Sequence, residues 1–85
     1  MSRQLKTKFE MAVINKVIEI RRQKGLSQND IATILELTRG FIGQIESPKF
    51  PSKYNLNHLN RLAFEMDCSP KDFLPKEVIK EKDWS

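Results

Sequence analysis

Apolar residues recur at steps of three and four along much of this 85-residue chain, the spacing that lines up one face of a helix. Leu5, Phe9, Val13, Val17 and Ile20 draw such a stripe, widened by Ala12, Ile14 and Ile18. They predict a first helix from about Lys6 to Lys24. Arg21, Arg22 and Lys24 fall in its last turn, where cations oppose the negative end of the helix dipole. Gly25 follows as a left-handed cap. Ser27 opens a second helix, with Asp30 placed to complete a capping box. Ile31, Ala32, Ile34 and Leu35 face inward, and Leu37 plugs the turn. Thr38 caps a third helix that ends near Glu46. Its inner edge is Ile42 and Ile45; Arg39, Gly40, Gly43 and Gln44 point outward. Ser47 to Tyr54 reads as a loop. Asn55 caps a fourth helix with Leu56, Leu59, Leu62, Ala63 and Met66 inward, and Asp67 ends it. Ser69-Pro70-Lys71-Asp72 starts a short fifth helix, with a serine cap and proline at the first helical position. Phe73 and Leu74 are expected to close the core. No strand pattern or repeat interrupts this series. The expected fold is all-α, with one domain over residues 1–75 and a charged tail over residues 76–85.

Composition narrows the chemistry. The single cysteine, Cys68, supplies neither an internal disulfide nor a metal cluster, and suits a reducing compartment. No apolar run approaches the roughly 20 residues of a membrane span. Arg3, Lys6 and Lys8 lead into an amphipathic pattern, not a signal peptide's apolar block. A cytoplasmic protein without a membrane partner is the expectation. The formal net charge is +4. Residues 1–24 hold seven Lys or Arg against Glu10 and Glu19, a local charge of 7 − 2 = +5. Such a basic first third suits a polyanion through counterion release; it equally suits a solvated helix face. His58 stands alone on a helix of Asn and Leu, as a surface or loop-contacting residue. Ser, His and Asp occur without any spacing that marks a nucleophilic triad. No catalytic residue, metal ligand or cofactor is expected.

The middle of the chain carries an ordered motif: Gly25-Leu26-Ser27-Gln28, Ile31-Ala32, Leu35, Leu37, Thr38-Arg39, Ile42 and Gln44-Ile45-Glu46. Asn55-Leu56, Leu62-Ala63, Ser69 and Phe73-Leu74 continue it. From Val17 to Leu74 the chain resembles the Cro/CI-type helix-turn-helix domain, the XRE-like family of phage and bacterial repressors. The resemblance implies a compact five-helix bundle with the helix-turn-helix at helices 2 and 3. It implies a DNA-binding transcriptional regulator, most simply a repressor, that inserts helix 3 into the major groove of double-stranded DNA. It also implies a homodimer with half-sites about 34–36 Å apart. Arg39, Gly40, Phe41, Gly43 and Gln44 would then face the bases. Arg39 suits a guanine and Gln44 an adenine. Phe41 either touches a thymine methyl group or packs against the protein. Gln28 and Thr38 would contact phosphates, as would Lys49 and Lys53. Arg3, Lys6 and Lys8 are either an arm on the DNA or, more simply, the exposed or frayed start of the first helix.

Three departures qualify the transfer. Glu36 stands where the turn usually holds glycine. Gly40 and Gly43 both sit in the recognition helix. The loop from Ser47 to Tyr54 looks about two residues longer than usual, and its prolines remove N–H donors. Tyr54 either packs inward or tracks the DNA backbone with the loop lysines. Trp84 is an unexpected residue in a charged tail: it folds back on the core or, with Phe73, Val78 and Ile79, meets a partner subunit. An antitoxin or adaptor using the same fold to bind protein, in part through the tail, is the alternative function.

Overall fold

The computed structural model describes residues 5–84. Every regular element in that span is helical. There are four α-helices, α1 (Lys8–Gln23), α2 (Gln28–Leu35), α3 (Arg39–Glu46) and α4 (Leu56–Met66). The expected fifth helix is a single 3-10 turn, Pro70–Phe73. Pro70 carries no N–H and Pro75 follows closely, so the segment closes one tight turn and goes no further.

Local signals set the helix starts. Thr7, Ser27, Asn55 and Ser69 each accept a hydrogen bond from a backbone N–H in the first turn. In each case the residue three along reaches back to the cap, forming a capping box. Thr38 caps α3 through the Phe41 N–H at 3.1 Å. Thr7 rather than Lys6 opens α1, because Glu10 completes the box with it. Three helices end in left-handed residues: Gly25 beyond α1, Glu36 after α2 and Asp67 after α4. At Glu36, φ is 58° and ψ is 43°, so the tight turn keeps its shape without glycine. Leu37 N–H then donates to the Ala32 carbonyl at 2.9 Å, the six-to-one bond of a Schellman turn.

The core lies between α1, α2, α3 and α4. Ile14, Val17, Ile31, Ile42, Ile45, Leu62, Met66 and Phe73 are its fully buried side chains. Four apolar expectations need correction. Leu56, the first residue of α4, is 80% exposed; it has the right azimuth, but its side chain is not covered. Leu74 is 41% exposed, because the chain is extended there and Phe73 takes the inward place. Leu5, which precedes α1, is 39% exposed, and Phe9, in its first turn, is 37% exposed. Among the described residues no helix is long and apolar enough to cross a membrane.

Candidate nucleic-acid interface

At 100° per residue, Arg39, Gly43, Gly40 and Gln44 follow one another over about 140° of the circumference of α3. Ile42 and Ile45 occupy the opposite side and are fully buried. Arg39, Gly40 and Gln44 are exposed; Phe41, at the boundary, is half-buried and packs against the core. The two glycines leave the outer face bare. A side chain at Gly40 would meet nothing within 4 Å, and at Gly43 only Gln28 Oε1, at 4.0 Å. Neither has positive φ. Nothing in the packing of the described residues requires glycine at either place.

The expected phosphate contacts have different settings. The Thr38 hydroxyl accepts from Phe41 N–H, leaving its own proton free to donate. Gln28 is half-buried; its Nε2 gives one hydrogen to Glu46 Oε1 at 2.8 Å, and the second hydrogen is spare. Lys49 is exposed. Lys53 is exposed but paired with Glu10 at 2.8 Å, so it stands by α1. Tyr54 is buried, which takes it off the outer surface of the loop. Burial, the larger influence, and the Glu46 charge hold its phenol un-ionised. Lys8 is exposed, and Arg3 lies outside the described residues.

Beneath this face sits a charged network. Arg21 and Glu46 form a two-pronged ion pair, Nε to Oε2 and Nη2 to Oε1, both 2.9 Å. Arg21 Nη1 donates to the Leu26 carbonyl at 3.1 Å. One guanidinium thus joins α1, the start of α2 and the end of α3. Both side chains are over nine-tenths buried. Desolvation alone would raise the Glu46 carboxyl's pKa, but the bonds from Arg21 and Gln28 outweigh it and hold the group below the ordinary range. The last turn of α3 meets a second cation, Lys6. Its ammonium donates to the carbonyls of Gln44 (3.1 Å), Ile45 and Ser47 (2.6 Å). Lys6 is 4% exposed, so it is neither a frayed end nor an arm.

The tail also packs. Glu81 is buried, and its carboxylate accepts from the N–H groups of Lys8 (2.9 Å) and Phe9 (3.0 Å). With the Thr7–Glu10 box, all four N–H groups that the start of α1 leaves open are satisfied. Trp84 is half-exposed, and lines an open cleft with Phe9, Val78 and Ile79. Phe73 is fully buried and belongs to the core, not to a subunit contact.

Arg21 left a trace in the sequence: a charged residue four after Val17 and seven after Ile14, in phase with the buried stripe. Lys6 left none, because its partners are carbonyls about 40 positions away. His58 is half-buried and caps locally, its Nδ1 accepting from Asn55 N–H at 3.1 Å. Among the described residues no group of three or more His, Cys, Asp or Glu is gathered as for a metal. No family model, curated protein or solved structure matches the chain.

Proposed function

We propose that this protein is a sequence-specific, DNA-binding transcriptional regulator of the Cro/CI-type helix-turn-helix kind, acting as a repressor by lodging α3 in the major groove. The observation that carries the reading is the bare outer face of α3. Two helical glycines together cost about 1–2 kcal/mol relative to alanine, and the packing of the described residues gives no return for them. A partner surface that must come close to the α3 backbone does. The groove of duplex DNA is such a surface, and Arg39 and Gln44 flank the bare strip with base-matching donors and acceptors. Gln28, Thr38 and Lys49 would orient the domain on phosphates; Lys53 would join them only on leaving Glu10. The work is equilibrium binding, without a chemical step, by a homodimer in the cytoplasm.

Selection of bound duplexes from a random pool tests this directly. An enriched palindrome, with affinity falling steeply as salt rises, is the expected result. No enrichment, with flat salt dependence, overturns it. A second reading, protein binding as an antitoxin or adaptor, is favoured by one observation. Val78 is 88% exposed and borders the Phe9–Trp84 cleft, an apolar surface for which a DNA-reading α3 has no use.

A further inference from the structure

We infer that Lys6 is a positioning residue for the groove-reading helix, clamping the last turn of α3 and so setting the angle at which its outer face is presented. The inference rests on the function proposed above.

The last carbonyls of any helix lack intrahelical partners and carry its negative dipole end. α3 is only 8 residues long and has no basic residue in its own last turn. It ends instead on Glu46, an anion at the unfavourable end. Two cations from outside the helix correct this. Arg21 takes the Glu46 carboxylate, and Lys6 takes the backbone. Three carbonyls converge on one ammonium, and an ammonium has three donors; the match is complete. The Ser47 carbonyl is among them, so the clamp also fixes where the loop toward Lys49 departs.

Lys6 is itself held. It precedes the Thr7 cap of α1, and Glu81 seats the next two N–H groups. Glu10 and Lys53 face it from α1 and the loop, and their mutual ion pair keeps a net neutral wall beside the ammonium. Lys6 and Glu81 therefore come together beside the last turn of α3, and on this reading neither needs to touch DNA to affect binding.

A phosphate contact and a clamp give opposite signatures. A lost phosphate contact weakens all DNA alike and lowers the salt slope by about one. A lost clamp leaves the slope and random-sequence affinity in place, and lowers affinity for the selected site alone. Lys6→Met keeps the aliphatic stem and removes the donors. The expected loss on the selected site is about tenfold, the scale of one charge-assisted hydrogen bond. Amide exchange of residues 44–47 should accelerate by about tenfold relative to α1 and α4, because the freed turn opens locally. Equal losses on both DNAs, a reduced salt slope, or uniform acceleration of exchange overturns the clamp. Should Lys6→Met not fold, Glu81→Ala is measured instead. It retains the ammonium but unseats the segment carrying it, and the same local pattern at smaller size is expected; its absence overturns the inference. If the wild-type chain binds no DNA, the proposed function falls, and with it the positioning role, while the exchange data still decide the clamp.

Discussion

Replacing Gly40 and Gly43 by alanine separates what the fold needs from what a partner needs. Both positions are open: beyond the local helix backbone and chain neighbours, no atom of the described residues comes nearer than 4.0 Å to an added methyl group. Both have ordinary helical backbone. Gly43→Ala should gain about 0.8–1.0 kcal/mol of stability. Gly40 lies in the first turn, where helix propensity counts for less, so about 0.5 kcal/mol is expected there. At about 4–8 °C per kcal/mol for a domain of this size, the double variant should melt about 5–12 °C higher. Scanning calorimetry and urea titration read this. Fluorescence anisotropy on the selected duplex should move the other way, by about tenfold or more in Kd, as methyl groups hold the helix off the base edges. Greater stability with unchanged DNA affinity would refute a close approach of DNA to the α3 backbone. Lower stability would refute the open space around both glycines. A stabilised variant that binds less DNA is the one outcome consistent with both.

Five other variants extend the test beyond the outer face of α3. Glu46→Ala strands the Arg21 guanidinium there and should cost about 3–5 kcal/mol, against a total of about 4–13 kcal/mol for a chain this long; a pairwise Arg21→Met, Glu46→Met change should cost much less, as urea midpoints would show. The Glu46 carboxyl has its pKa lowered in the folded state, so its contribution is complete above the unfolded value of about 4.3. It is lost as pH falls through the lower folded value; Glu46→Gln should flatten that acid limb of the stability curve, and an unchanged limb would disprove the assignment. Glu36→Gly relieves a left-handed residue and should raise stability by up to about 1 kcal/mol, while Tyr54→Phe removes a buried hydroxyl with no partner among the described residues and should raise the melting temperature by a few degrees; a clear fall in either case would contradict the backbone of Glu36 or the burial of Tyr54.

What the sequence made legible was short-range. Every helix start had a side chain that caps within three residues, so Ser27, Thr38 and Asn55 marked their elements well. Gly25 and Asp67 marked two ends, and the Ile42–Ile45 edge of α3 was right in full. Periodicity gave the azimuth of each apolar residue but not whether anything faces it at that height. Leu56 shares a side with Ala63, yet Ala63 is buried and Leu56 is left 80% exposed. The site divides in the same way. Arg39, Gly40 and Gln44 lie outward as their spacing required. The supports beneath them were hidden, because Lys6 recognises backbone carbonyls, which every residue has. A contact of that kind leaves no mark on the partner's side chains. Glu81 was hidden likewise, since it binds N–H groups 72 and 73 positions away.

That last separation bears on how the chain assembles as it is made. α1 is made more than 50 residues before Glu81, yet two of its opening N–H groups wait for that residue before they leave water. The Lys6 ammonium waits for residues 44–47 in the same way. A growing chain therefore carries the start of α1 unfinished until residue 81 has been made and has docked against it.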